Sequence, residues 1–260
     1  MSSRFVDSPD GTRIHVVTTG DGEKDVLIVG GLAEHAGRYD HVAAAFITKG
    51  ARVHRMELRG HGNSGGRRSH VLNWSEYRDD LAAVAATLRP GWSLFAHSMG
   101  GLVALDAVGH GLRPARIALS NPLLGVKMKV PGWKSAAGRG LSRLWPSLAL
   151  TNELDPAHLS RDVTIGQAYA TDPDVYKKVT ARWFTEMTAA QARVASMGAA
   201  PMPVCFFLSE TDPITDAAQS RRVSARIGGT VREQPGMLHE LVNELGKDAL
   251  IADLGGWLLD

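Results

Sequence analysis

Trp92-Ser93-Leu94-Phe95-Ala96-His97-Ser98-Met99-Gly100-Gly101 is the stretch on which the fold turns. Trp92 to Ala96 is short and predominantly apolar, the pattern of a strand covered on both faces in a parallel sheet. Leu102, Val103, Leu105, Ala107 and Val108 then continue as a helix. Ser98 stands at the turn between the two, and the small residues Gly100 and Gly101 let the helix come close to the strand. A turn this sharp lifts a hydroxyl clear of the sheet and points a helix N-terminus, with its free N–H groups, at whatever oxygen reacts there. Ser98 is therefore the candidate nucleophile.

Outward from this turn the same alternation repeats. Val26 to Val29, closed by Gly30-Gly31, Ala51 to Glu57, Arg116 to Ser120, Val204 to Leu208 and Thr230 to Gln234 all read as strands. Tyr77, Leu81, Val84 and Leu88 form one apolar helical face, with Asn73 and Glu76 spaced as a capping pair at its start. Strands alternating with helices predict an α/β fold, a mostly parallel, doubly wound sheet of about eight strands with right-handed crossovers. Arg4 to Ser8 and Thr12 to Thr18 add an antiparallel hairpin across Asp10-Gly11 at one edge. From Asn121 to about Ala200 no clean strand appears, and a structureless loop of that length does not suit a compact domain. Residues 122–199 are thus expected to be an inserted helical cap, and residues 1–121 and 200–260 the core that carries it.

With 260 residues, 44% of them hydrophobic and 22% charged, the chain can bury a large core, which excludes a disordered protein. The net charge of +2 and the few aromatic residues leave no basic, aromatic-interleaved surface, so no nucleic-acid partner is expected. Cys205 is the single cysteine, so no internal disulfide and no cysteine metal site can form. No secretory leader and no apolar run long enough to span a bilayer is seen, and the expectation is a soluble cytoplasmic protein. The charge is nevertheless uneven. No acid occurs between Asp106 and Glu153, where Arg113, Arg116, Lys127, Lys129, Lys134, Arg139 and Arg143 leave the rest of the chain with 22 basic against 27 acidic residues.

Two strings near residue 60 mimic functional motifs. Gly62-Asn63-Ser64-Gly65-Gly66 fits G-x-S-x-G more strictly than the string around Ser98, which has Ala96 in the first position. Ser64, however, lies in a polar loop running on into Arg67-Arg68-Ser69, with no strand directly before it and no helix directly after. Gly60-His61-Gly62-Asn63-Ser64-Gly65 likewise fits G-x-G-x-x-G, but a dinucleotide fingerprint opens directly into a helix and meets an acid at the end of the next strand. Here the next helix begins near Trp74, and Asp79 and Asp80 lie inside it. No cofactor is expected, and no H-E-x-x-H or Cys/His cluster offers a metal site.

A serine hydroxyl needs a base, and the base needs an acid to fix its tautomer and stabilise its charge. In strand-turn-serine enzymes of this kind the acid comes next in the chain and the histidine last. Only His239 lies beyond residue 158, on a loop after the strand ending at Gln234, which makes it the candidate base. The loop after Leu208 offers Glu210, Asp212 and Asp216. Asp212, followed by the turn-forming Pro213, is the choice, with Glu210 next. The alternative acid position after Ser120 holds Asn121, which cannot serve. Two oxyanion donors are expected, the N–H groups of Met99 and, beyond Gly30-Gly31, of Leu32.

These residues resemble the α/β-hydrolases of the monoglyceride lipase, lysophospholipase and serine aminopeptidase group. The resemblance runs through GGLAEHAGRY (30–39), ELRGHGNSGG (57–66), AHSMGG (96–101), TDPI (211–214) and HELVNE (239–244), and through NPLLGVKMKVP, LDPAHLSRD and VYKKVTARWF in the cap. It implies the same catalytic set, Ser98, Asp212 and His239, with Leu32 and Met99 at the oxyanion. Three positions depart from the group: Gly30 replaces a usual His, Glu57 an Asp and Ala96 a Gly. The first bears on how the oxyanion loop is braced.

Glu34 and Arg38, acid first at i, i+4, read as a helix-face ion pair. In monoacylglycerol-cleaving members of the resembled group the matching pair lies near the glycerol end of the pocket, so substrate contact is the other reading. His35, His61 and His97 read as loop or packing residues. Trp133, Leu141, Leu144, Trp145, Leu148 and Leu150 stand among Lys127, Lys129, Lys134, Arg139 and Arg143. Such a segment either touches anionic lipid as a peripheral membrane contact or packs its apolar face on the core. Val175, Val179, Trp183 and Met187 suggest an apolar helical stripe that lines an acyl pocket or closes the cap's own core. A greasy cap over a serine favours a lipid ester substrate, cleaved by a carboxylic ester hydrolase. A short-chain carboxylesterase or an acyltransferase using the same residues is the alternative.

Overall fold

The computed structural model describes residues 1–127, 140, 142–152 and 154–260. Among the described residues ten strands are formed: β1 Ser2–Asp7, β2 Arg13–Thr19, β3 Lys24–Val29, β4 Ala51–Met56, β5 Ser93–His97, β6 Ile117–Ser120, β7 Ala149–Thr151, β8 Lys178–Thr180, β9 Val204–Leu208 and β10 Thr230–Glu233. Eight of them make one sheet in the order β1-β2-β4-β3-β5-β6-β9-β10. β1 with β2 and β2 with β4 pair antiparallel, and every later neighbour is parallel. The hairpin at Asp10-Gly11 needs Gly11 at φ 82°, where a side chain would be strained.

Period-two alternation along the central strands divides the core into two layers. Leu27, Val29, Leu94, Ala96, Ile117, Leu119, Phe206 and Leu208 face one side, where they meet helices α2 (Ser75–Ala85) and α3 (Met99–Gly109). Val26, Ile28, Phe95, Ala118, Cys205 and Phe207 face the other, against α1 (Asp40–Ile47) and the last helix, Lys247–Leu259. Both faces are covered, which is why these strands read as apolar runs rather than as alternating ones. Phe206 and Phe207 are wholly buried on opposite faces, and truncating either to Ala would cost about 3–5 kcal/mol. At the start of α2, Glu76 Oε1 accepts from the N–H of Asn73 at 2.9 Å, the return half of the expected capping pair.

The chain between β6 and β9 departs from a purely helical insertion. β7 and β8 form a small antiparallel sheet. Strands of three residues are too short to show a period, so none was visible in the sequence. Between them lies α4 (Val163–Thr171), α5 (Ala181–Ala195) follows β8 directly, and α6 (Ala217–Ile227) and α7 (Lys247–Leu259) come after β9 and β10 respectively. The stripe Val175, Val179, Trp183, Met187 is not one helix. Val179 lies in β8, and Thr180 starts α5 by accepting from the Trp183 N–H at 3.2 Å. That N-cap overrides the four-residue spacing. Trp183, Met187, Ala190 and Val194 pack into the main core layer beside α2 and α3, with Trp183 and Trp74 ring centroids 6.2 Å apart. They close the sheet's own core rather than a separate one. Lys129, Trp133, Lys134, Arg139 and Leu141 lie outside the described residues.

Candidate active site

β5 ends at His97, and α3 begins at Met99. Ser98 joins them at φ 49°, ψ −116°, a conformation that costs of order 1–3 kcal/mol in a non-glycine residue and persists only where its surroundings enforce it. The enforcement is visible. The Ser98 N–H donates to Ser120 O at 3.0 Å, and Ser98 O accepts from Leu123 N at 2.9 Å. A Cβ on Gly100 would come within 2.5 Å of Val29 O, and one on Gly101 within 2.7 Å of the Pro122 ring. Only glycine lets α3 lie this close to β3 and to the start of the insertion.

His239 Nε2 lies 3.0 Å from Ser98 Oγ, and His239 Nδ1 lies 2.8 Å from Asp212 Oδ2. A neutral ring with its proton on Nδ1 donates to Asp212 and leaves Nε2 to accept from the serine hydroxyl. Burial pulls the imidazole toward the neutral form, but the Asp212 charge and hydrogen bond outweigh it and hold its pKa above the ordinary histidine value. Asp212 is fully buried. Desolvation pushes its carboxyl up, but His239, Thr215 and the Ile214 N–H together hold it below the usual carboxylate range. It therefore stays ionised and orients the ring. The His97 ring sits 4.8 Å from that of His239, and burial drives its pKa down to about 4, so it stands uncharged beside the His239 ring at neutral pH.

The loop after β3 runs against the serine. A Cβ on Gly31 would fall 3.2 Å from Ser98 Cβ, so the backbone leading into Leu32 passes directly beside Ser98, the residue before the start of α3 at Met99. Glu34 braces this loop, accepting from the Gly31 N–H and, at 2.6 Å, from Tyr39 Oη. Beneath Gly30 lies a cavity of about 10 Å³ walled by Gly30, Glu34, Tyr39 and Arg55, the space of a single water. Glu34 thus supplies the bracing that Gly30 cannot.

Glu34 and Arg38 are not on one α-helix. Arg38 belongs to a short 3-10 turn, Ala36–Tyr39, and its side chain is nearly as buried as that of Glu34. Besides Glu34 at 3.1 Å, it donates to both oxygens of Glu240, at 2.7 and 2.6 Å, the residue next to His239. The i, i+4 spacing could not show this, because the third member lies about two hundred residues away. Glu240, buried and close to Glu34, has its carboxyl pushed up, while Glu34 is held down by His97 and Arg38 against its own burial. His35 pairs with Asp172 of the insertion at 2.9 Å, and His61 Nδ1 donates to Arg59 O at 2.9 Å.

The rejected candidates are placed elsewhere. Ser64 Oγ donates to Glu57 O at 2.6 Å and accepts from the His15 N–H at 2.8 Å, as a buried link between strand and loop. Glu210 is exposed and paired with Arg221. Asn121 holds backbone rather than a ring nitrogen, a role no motif announces. A groove of about 490 Å³ lies between the turn at Pro156 and α4, with Leu238 in its wall, but Ser98, Leu32 and Met99 do not line it. Among the described residues no group of three or more metal-binding side chains converges, and no helix is long and apolar enough to cross a membrane.

A mostly parallel eight-stranded sheet with a serine at a strained strand-to-helix elbow, backed by helices on both faces, defines an α/β-hydrolase. Residues 21–246 match the serine aminopeptidase, S33 family, and the chain belongs to that family. It is 30% identical over 245 residues to a monoacylglycerol lipase of Mycolicibacterium smegmatis, covering 90% of this chain and 87% of that one. It is 29% identical over 229 residues to the phospholipase YtpA of Bacillus subtilis, covering 84% and 88%. The crystal structure of a monoacylglycerol lipase from Paleococcus ferrophilus superposes with a TM-score of 0.84 at 27% identity, covering 95% of this chain and 98% of that one. The chain also spans 26% of a longer uncharacterized abhydrolase domain-containing protein of Dictyostelium discoideum, at 29% identity.

Proposed function

We propose that this carboxylic ester hydrolase cleaves monoacylglycerols or lysophospholipids through Ser98, His239 and Asp212. The observation that carries the reading is the unbroken chain from Ser98 Oγ to His239 Nε2 at 3.0 Å and from His239 Nδ1 to Asp212 Oδ2 at 2.8 Å. Ser98 Oγ attacks the ester carbonyl carbon as His239 Nε2 takes its proton. The oxyanion that forms is held by the N–H groups of Leu32 and Met99, each such donor being worth roughly 3 kcal/mol. His239 then gives the proton to the departing alcohol oxygen, leaving an acyl-enzyme. Water attacks this ester, passes its proton to His239, and the proton returns to Ser98 Oγ as the fatty acid leaves.

The names of the lipase and phospholipase relatives support a lipid ester as substrate. Leu144 and Trp145 beside Arg143 are exposed in the insertion, 88% and 59% respectively, which supports the reading of residues 122–199 as a cap that touches a lipid surface. The test is hydrolysis of monoacylglycerols and lysophospholipids of increasing chain length by the purified protein, with Ser98→Ala as control. Turnover of long-chain substrates that vanishes in the variant is the expected result. Turnover of short esters alone would overturn the lipid assignment.

A further inference from the structure

His239 is carried by a loop, and a loop does not by itself hold a ring to tenths of an ångström. The peptide groups of the preceding residue, Leu238, are gripped from both sides. Their N–H donates to Glu244 Oε1 at 2.8 Å, and their C=O accepts from Asn121 Nδ2 at 3.1 Å. The same Asn121 amide donates to His239 O at 2.9 Å, while its oxygen accepts from the Ser209 N–H at 2.9 Å, at the end of β9 just before the Asp212 loop. Glu244 also accepts from the N–H of Arg161 at 3.0 Å, from Arg161 Nε at 2.9 Å and from the Leu245 N–H at 2.8 Å. Both side chains are buried, Asn121 to 1% exposure and Glu244 fully. Asn121 sits at φ 38°, a left-handed conformation that asparagine tolerates better than most residues.

We propose that Asn121 and Glu244 are positioning residues for His239, a two-sided clamp on the Leu238 peptide groups that keeps the ring in register with Asp212 and Ser98. The proposal rests on the reading of those three residues as the catalytic set. Asn121 ties the histidine loop to the end of the strand that leads into the acid loop, so base and acid move as one body. Glu244 ties it to Arg161 in the insertion. Neither side chain touches the ring or the reacting atoms, so their loss should loosen the geometry without removing a reacting group. The titratable groups that face the ring are Asp212, Glu240, Glu34 and His97, and the clamp leaves all four unchanged.

The test uses the full chain and p-nitrophenyl butyrate, with Asn121→Gly, which keeps the backbone conformation, and Glu244→Gln, which keeps the shape. A fluorophosphonate carried to its end point, where even slowly reacting serines are labelled, counts folded sites in each preparation independently of the labelling rate. Per labelled site, kcat should fall on the order of 10²-fold, the size of a misplaced catalytic group, with KM within about threefold. The acid limb of the pH profile should also move to lower pH, because a ring held less firmly against Asp212 loses part of what raises its pKa. Wild-type kcat per site with an unmoved acid limb in Asn121→Gly would overturn the clamp, even if Glu244→Gln fails to fold. So would a loss of rate explained wholly by fewer labelled sites. If Ser98→Ala keeps its activity, the catalytic set itself is wrong and the clamp falls with it, whereas an inactive Ser98→Ala beside a fully active Asn121→Gly sinks the clamp alone.

Discussion

Ser64 and Ser98 both occupy Gly-x-Ser-x-Gly-like strings, and the string with the better match sits where no chemistry is arranged. Around Ser64 the backbone is a loop folded back on the sheet, and both capacities of the hydroxyl are spent, one on Glu57 O and one on the His15 N–H. Around Ser98 the chain reverses from strand to helix in one strained residue, and the hydroxyl faces an imidazole. What separates them is the pair of elements on either side. A buried strand and a close-packed helix can hold a serine in an unfavourable conformation with its oxygen outward, whereas a loop relaxes until the oxygen finds partners of its own.

The comparison breaks most sharply on Ser98→Ala, which should lose on the order of 10⁶-fold in kcat while keeping its melting temperature. An active Ser98→Ala with an inactive Ser64→Ala would reverse the whole assignment. Asp212→Asn should cost about 10⁴-fold, since the ring would then settle in the wrong tautomer, and a variant within tenfold of wild type would move the acid elsewhere. The pH profile of kcat/KM should fall on the acid side with a midpoint above about 6.5, because His239 acts only when neutral and its pKa is held above the ordinary value. A midpoint below 6 would mean that Asp212 does not support the ring. Ser64→Ala should leave kcat/KM within twofold and instead cost about 1–3 kcal/mol of stability in a denaturant titration, as the His15 N–H and Glu57 O lose their partner. Glu210→Gln should change neither rate nor stability measurably. Loss of activity there would promote the second-choice acid over Asp212.

The sheet, and the three distant residues Ser98, Asp212 and His239 that the structure brings together, were legible because each leaves a local trace. Strands covered on both faces are written as apolar runs, and His239 is the sole histidine late in the chain. What was not legible depends on partners far off in sequence. Glu34 and Arg38 look like an ordinary helix pair until Glu240 is seen to bind the same guanidinium. Asn121 was set aside as unable to act as an acid, and nothing local says that its amide meets the histidine loop more than a hundred residues later. The stripe through Val179 and Trp183 failed differently, as the cap at Thr180 ended one element and started another within an apparently regular period. Lys127 at the start of the insertion donates to Asp212 O at 2.9 Å, a contact equally invisible in its sequence surroundings.

The separation of 141 residues between Ser98 and His239 also sets an order of events during synthesis. At ribosomal speeds of roughly 5–20 residues per second, Ser98 leaves the ribosome roughly 7–28 s before His239, the base proposed for it. Until β9 and β10 have joined the growing edge of the sheet, the nascent chain carries a hydroxyl of ordinary reactivity. On the proposed catalytic set, reactivity toward esters switches on only with the last steps of folding, and a chain truncated before His239 is expected to be inert.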